Sequence, residues 1–245
     1  MILANKNTFL DSLLYLYLQV SLRGHFTSIE AAGLEHLTNL KSPQPVIAVA
    51  NHTCWWDGLI VFYLTRFCSD REYYCMMEEK QLRHYKFFTW IGAFSVDLEN
   101  GLRAALSIRY AAKLLRKPNA FLWIFPQGEQ VSRYDKILVK HGVDYLARQT
   151  NDAVILPVAF AYEFFREQKP QVLIRFGKPI PAIEVTTPSL QAVLQDLADT
   201  ALLDCRNGNL EAYQVLLKPR LSINKRWEWF LFLLRGKASE FNARN

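Results

Sequence analysis

Five apolar residues, Val46-Ile47-Ala48-Val49-Ala50, run into Asn51-His52-Thr53-Cys54-Trp55-Trp56-Asp57-Gly58. A second apolar run, Leu59-Ile60-Val61-Phe62-Tyr63-Leu64, follows at once. The first run predicts a buried strand and the second a helix packed inside. A histidine and an aspartate are thereby fixed where a core strand meets a core helix. Placing such a pair there is costly unless the two groups bond or act. The i, i+5 spacing across a strand-to-helix turn lets the Asp57 carboxylate reach the His52 imidazole. It would hold one tautomer and stabilise the imidazolium formed when the ring takes a proton. Taken singly, His52 is first of all a satisfied buried histidine; the case for chemistry rests on the residues downstream.

Those residues alternate between strand and helix patterns. Residues 8–22 predict a helix, with Phe9, Leu10, Leu13, Leu14, Tyr17 and Val20 at helical spacing, either in the core or lying on a membrane. Residues 41–45 are a loop. Residues 73–77 predict a strand, 78–83 a polar stretch, and 90–97 a turn followed by a third strand. Residues 102–116 form a strongly amphipathic helix. The apolar run 120–125 is a central strand that passes into Pro126-Gln127-Gly128-Glu129-Gln130. Loops at strand carboxyl ends are where ligands gather in open α/β sheets. A helix over 137–148, strands over 154–160 and 172–176, and closing helices over 189–205 and 209–217 complete the pattern. Alternation of this kind gives an α/β fold, a single layered domain with a mixed central sheet flanked by helices. It divides into an N-terminal helical region (1–40) facing a membrane, an α/β core (41–185), and C-terminal helices with a basic, aromatic segment (186–245).

With 245 residues, half of them hydrophobic, the chain can bury one sizeable core. Its formal charge of +6 suits an anionic membrane, an acidic carrier protein or a nucleotide phosphate. No compact basic run with a nucleic-acid motif appears, which disfavours nucleic acid as a partner. Cys54, Cys68, Cys75 and Cys205 show no C-x-x-C spacing, as in a reduced protein without a zinc site. No cleavable leader is evident, since the first apolar stretch carries Asp11 and no small-residue cleavage pattern. No run reaches the roughly 20 apolar residues that span a bilayer. Trp227, Trp229 and residues 230–234 sit among Arg220, Lys225, Arg226, Arg235 and Lys237, a composition suited to the headgroup interface. The expectation is a peripheral protein at the cytoplasmic face of a membrane.

Four blocks in this order resemble the PlsC-like glycerolipid acyltransferases, the family of lysophosphatidic acid acyltransferases. They are His52-x4-Asp57, preceded by Asn51; Gly92-Ala93-Phe94-Ser95-Val96-Asp97; Phe125-Pro126-Gln127-Gly128; and Leu156-Pro157-Val158-Ala159. Lys140 and Gly142 sit where the family carries K-x-G. The resemblance covers about residues 40 to 180. It implies transfer of a fatty acyl group from a thioester, on acyl-CoA or acyl carrier protein, to a hydroxyl of a lipid acceptor. His52 would be the general base and Asp57 its orienting partner; such a base typically contributes about 10²–10⁴ in rate. Backbone groups around Gly128, with Asn51 and Pro126, would form or support the oxyanion site. Phe94, Gln127, Gly128, Glu129 and Gln130 would face the acceptor, and Trp55 and Trp56 the acyl groove. No cofactor and no metal is implied. Cys54 has no base of its own and is read as packing.

The departures from the family pattern matter as much. The phosphate-binding arginine at the end of the second block falls at Leu98. The third block replaces the usual Glu by Gln127 and the usual Thr-Arg by Glu129-Gln130, and Ser95 stands in place of a Phe. Losing two charged hydrogen bonds removes roughly 3–6 kcal/mol of phosphate recognition, unless Arg103 or Arg133 compensates. The expectation is an acceptor without phosphate, such as a sugar hydroxyl of a glycosylated lipid; the pattern resembles the chlorobactene lauroyltransferase branch, which esterifies a carotenoid glucoside. The alternatives are a 1-acylglycerol-3-phosphate acyltransferase with displaced arginines, a thioester hydrolase, and a membrane lipid-binding protein without catalysis.

Overall fold

The computed structural model describes residues 1–40, 43–65, 71–165, 167–218 and 227. In chain order the elements are helix α1 (Thr8–His25), strand β1 (Ile29–Ala32), α2 (Glu35–Thr38), β2 (Val46–Ala50), α3 (Asp57–Leu64), β3 (Glu72–Glu78) and α4 (Glu79–His84). A 3-10 turn (Lys86–Ile91) leads to β4 (Ala93–Val96), α5 (Gly101–Leu115), β5 (Ala120–Ile124), α6 (Gly142–Gln149), β6 (Val154–Glu163), β7 (Gln171–Phe176) and β8 (Ile180–Pro181). The described chain closes with α7 (Thr187–Asn207) and β9 (Gln214–Leu217).

Among the described residues nine strands join one sheet, in the order β4-β3-β5-β2-β6-β7-β1-β9, with β8 beside β6. From β4 to β6 every pairing is parallel, whereas β6–β7, β6–β8 and β1–β9 are antiparallel. The sheet is therefore mixed, as the alternating pattern predicts. β2 and β5 read as unbroken apolar runs because both faces are covered and every residue of each is buried. Alternate residues point to opposite faces. Ala48, Ala50, Phe121, Trp123, Leu156 and Phe160 pack with α1 and α3 on one face. Ile47, Val49, Leu122, Ile124 and Ile155 pack with α5, α6 and α7 on the other.

Four expectations change. β1 carries no strong sequence signal, yet it pairs in parallel with β7 and, with β9, brings the N- and C-terminal segments into the same sheet. The helix expected over 209–217 is instead β9. Gly208 ends α7 in the left-handed region (φ +65°), and the reversed chain satisfies the open edge of β1. The helix expected from 137 begins only at Gly142. Gln195 and Gln191 of α7 accept from the N–H groups of Ile137 and Val139, and the Pro126 carbonyl accepts from Lys140 N–H, which pins this stretch outside a helix. The polar stretch 78–83 forms most of α4 (Glu79–His84). Among the described residues no helix is long and apolar enough to cross a membrane. The basic, aromatic C-terminal segment lies outside the described residues, Lys218 and Trp227 apart.

Candidate active site

His52 lies just beyond β2, and Asp57 opens α3. The turn between them closes on itself, with Asp57 N–H donating to the Cys54 carbonyl (3.1 Å). That closure aims the N–H groups of Thr53 and Cys54 at Asp57 Oδ2 (2.8 and 2.9 Å). The same oxygen accepts from His52 Nδ1 at 2.8 Å. Oδ1 accepts from the O–H of Tyr162, on β6. Asp57 is fully buried, so these donors replace the water it has lost, and the start of α3 adds the positive end of a helix dipole. Facing a carboxylate, Nδ1 carries the proton and Nε2 is left as the acceptor.

The loop after β5 holds His52 from the other side. Gln127 Oε1 accepts from His52 N–H (2.7 Å), and the His52 carbonyl accepts from Val131 N–H (3.0 Å). The Phe125 ring stacks on the imidazole, with centroids 4.4 Å apart. Asn51 is buried and pairs both ends of its amide with the Phe160 backbone, donating at 3.0 Å and accepting at 2.7 Å. It clamps β2 to β6.

His52 lines a cleft of about 930 Å³ at the carboxyl ends of β2, β3 and β5. Part of its lining is apolar, formed by Val61, Phe62, Tyr73, Phe88 and Ile91, which pack with the core on the α1 and α3 face. Leu98, Gly128, Glu129, Gln130 and Lys140 line another part. Gly128 has φ +75°, and a Cβ there would lie 2.7 Å from Lys140 Nζ and 3.2 Å from a Leu98 methyl, so this part is close-packed around a missing side chain.

Several expected roles are corrected by this geometry. Asn51 spends its amide oxygen and one amide hydrogen on the Phe160 backbone, a scaffold contact. The Gly128 N–H donates to the Phe125 carbonyl (3.1 Å), closing its own turn. Pro126 is buried and contributes only its carbonyl to Lys140 N–H (3.0 Å). Gln127 is buried beneath the cleft, where it fixes His52 instead of facing an acceptor. Phe94 is fully buried against Tyr110, with ring centroids 5.1 Å apart, and does not reach the cleft. Trp55 lines the cleft, but Trp56 packs on His25 and Phe26 at the end of α1. Glu129 and Gln130 are exposed on the rim.

Neither arginine that could restore a phosphate site is free to do so. Arg103 binds Glu79 (2.9 Å) and Asp97 (3.1 Å). Arg133 binds Glu163 (3.1 Å), the Tyr134 hydroxyl (2.6 Å) and the Tyr162 carbonyl. Glu79 also accepts from Arg83 (2.5 Å) and from the buried Ser95 hydroxyl (3.2 Å). The Arg83 bond, followed by that of the Met1 amino group (3.3 Å) and the Arg103 charge, holds its carboxyl down at about 2. Ser95, at a position where the family carries Phe, thus belongs to a polar network behind the second block. Burial pushes the Cys54 thiol above its ordinary range, so it is no ready thiolate nucleophile.

Two contributors escaped the sequence reading. Tyr162 lies 105 residues from Asp57, and no local pattern marks it. Phe125 was visible only as part of a block; its place over the imidazole comes from the parallel pairing of β2 with β5.

The Acyltransferase family model matches residues 29–161, more than half of the chain. A Caenorhabditis elegans protein provisionally named a 1-acyl-sn-glycerol-3-phosphate acyltransferase, acl-2, is 25% identical over 176 residues, 69% of this chain. The chain spans 60% of that relative's length. The crystal structure of the 1-acyl-sn-glycerophosphate acyltransferase PlsC from Thermotoga maritima superposes with a TM-score of 0.59 at 14% identity, covering 80% of this chain and 79% of that one. The last likeness establishes the fold. The matched segment holds the strand-to-helix turn of His52 and Asp57, the loop after β5 and most of β6, and on that match the chain belongs to the Acyltransferase family.

Proposed function

We propose that the enzyme moves a fatty acyl group from acyl-CoA or acyl carrier protein to a sugar hydroxyl of a glycosylated lipid, of the carotenoid glucoside kind. The observation that carries the acceptor is the part of the cleft lining formed by Leu98, Gly128 and Lys140. Leu98 stands where the family places its phosphate-binding arginine, and Arg103 and Arg133 are both held by carboxylates. Exposed Glu129 on the rim repels an anion and can accept from sugar hydroxyls.

The residues supply each step of such a transfer. Nε2 of His52 takes the proton of the attacking hydroxyl as its oxygen adds to the thioester carbonyl. Asp57 stabilises the imidazolium. The carbon–sulfur bond then breaks, and the leaving thiolate takes the proton back from the imidazolium. The N–H groups of Glu129 and Gln130 make no hydrogen bond among the described residues and are the donors left for the oxyanion. The apolar part of the cleft lining takes the acyl tail. The outer face of α1, with Phe9, Leu13, Leu16, Tyr17 and Val20 exposed, lies on the cytoplasmic face of a membrane. Replacing Phe9 and Leu16 by serine is expected to release the protein from sedimenting anionic vesicles.

One observation favours a second reading, a 1-acylglycerol-3-phosphate acyltransferase. Lys140 Nζ sits beside Gly128 on the cleft wall, and no carboxylate among the described residues pairs with it. Purified enzyme given lauroyl-CoA with either a glucosylated carotenoid or lysophosphatidate decides between them. The sugar reading expects faster turnover of the glucoside; faster turnover of lysophosphatidate overturns it.

A further inference from the structure

We propose that Tyr162 is a positioning residue of this site: its O–H holds Oδ1 of Asp57, presents Oδ2 to His52 Nδ1, and limits how strongly the carboxylate stabilises the imidazolium. The inference rests on His52 acting as the general base.

Tyr162 sits near the end of β6 on the same face as Val158 and Phe160, so its ring points toward α1 and α3. It packs against Phe26 at 6.0 Å between centroids, and Arg133 binds its carbonyl. Backbone and ring are thus each held, and the hydroxyl reaches Asp57 Oδ1. It does not line the cleft, so it acts through Asp57 and touches no substrate. The other Asp57 oxygen already accepts from His52 and from two backbone N–H groups. Tyr162 is the donor that stops the carboxylate from rotating. Burial, followed by the Asp57 charge, pushes its phenol well above the ordinary range, so it stays a donor at every working pH.

The electrostatic consequence has a sign. A donor on Oδ1 draws negative charge away from Oδ2. Without it, the carboxylate favours the imidazolium more strongly, the base stays protonated to higher pH, and the acidic limb of the pH–rate profile moves up. Other titratable groups face this region. Cys54 flanks Asp57, and His25 packs on Trp56. Glu78, Glu99, Glu129 and Lys140 line the same cleft, while Arg133 and Glu163 lie at the far end of Tyr162. All of them persist in each variant, so a displacement between variants reports Tyr162.

The test compares the pH profiles of kcat/KM for the parent, Tyr162→Phe, and a protein carrying 3-fluorotyrosine at position 162, a more acidic phenol and stronger donor. Lauroyl-CoA is the donor and either acceptor named above serves. Tyr162→Phe should move the acidic limb up by about 0.5–1 unit, with activity below the limb reduced by at most about tenfold. The fluorinated ring should move the limb down, with KM for lauroyl-CoA unchanged in both. NMR titration of the His52 ring should follow the same order and needs no turnover. If Tyr162→Phe fails to fold, the fluorinated protein decides alone. An unmoved limb and ring titration in a folded variant overturn the inference. Should His52→Ala be as active as the parent, the base role falls and this inference with it. Loss of activity in His52→Ala beside unmoved Tyr162 profiles defeats the Tyr162 inference alone.

Discussion

Two parts of the cleft are built on opposite principles. On the His52 side every polar atom of the pair but Nε2, the one that takes the proton, is committed: Asp57 accepts from an imidazole, a phenol and two backbone N–H groups, and His52 is tied to Gln127 and Val131 through its own backbone. Where Leu98, Gly128 and Lys140 line the cleft, Leu98 supplies a methyl, Gly128 supplies no side chain, and Lys140 has no carboxylate partner among the described residues. The nearby arginine is turned away into the Glu79 network. The lesson is physical. Proton transfer requires a geometry fixed in advance, and this is met by saturating hydrogen bonds on rigid elements. Acceptor choice needs only complementary surface, so it can change by swapping a few wall residues without disturbing the core.

The most severe way to break this contrast is to remove the base. His52→Ala should lower turnover by about 10²–10⁴. Because the imidazole is only partly buried, the melting temperature should move little. Activity with lauroyl-CoA and a thermal melt check both. An equal loss of activity and stability would put the pair back among structural histidines.

Asp57→Asn tests the saturation itself. The neutral amide cannot serve as acceptor to all four donors, so the variant should lose stability as well as activity. A cost of about 2–3 kcal/mol in urea unfolding is expected. Unchanged stability would mean that the hydrogen bonds are not what holds the turn.

Leu98→Arg sharpens the comparison from the other part of the cleft. A guanidinium there restores a charged donor worth about 1.5–3 kcal/mol, which should shift preference toward lysophosphatidate over the glucoside by about 10-fold or more. Competition assays with both acceptors present measure it. Turnover of lauroyl-CoA at saturating acceptor should stay within a factor of a few, since the His52 side is untouched.

The smallest effect lies behind the second block. The Glu79 carboxyl is depressed in the folded state from its ordinary 4.5 to about 2. It therefore contributes stability that is complete above the ordinary value and lost as pH falls from about 4.5 through about 2. Glu79→Gln should flatten the acid limb of stability across that window and leave the difference from the parent constant above it. Urea midpoints at pH 6, 4 and 3 show this directly. A parent whose stability does not fall in that range would remove Glu79 as the anchor of Arg103.

Much of the fold was legible because covered strands and amphipathic helices have distinct periods. β2, β5 and β6 announce themselves as apolar runs, and α5 as an amphipathic repeat. β1 and β9 do not, since four-residue strands acquire their identity from the neighbour whose edge they complete. The stretch before α6 looked helical by pattern but is held outside a helix by two glutamines of α7, a contact no local window contains. The same holds at the site. The i, i+5 spacing was enough to join His52 and Asp57, because both belong to one turn.

By itself, the order of residues determined the layered α/β class, the strand-to-helix turn and the pairing of imidazole with carboxylate, all of which depend on short-range spacing and on which runs can be buried. The tertiary structure alone decided that Gln127, Asn51 and Phe94 serve the scaffold, that Trp56 turns from the cleft, and that Tyr162 completes the shell of Asp57. Those assignments depend on which side chains the parallel sheet and its covering helices bring together across long stretches of chain. Hydrogen bonds and ring contacts act over a few ångströms of space, whatever the separation in sequence.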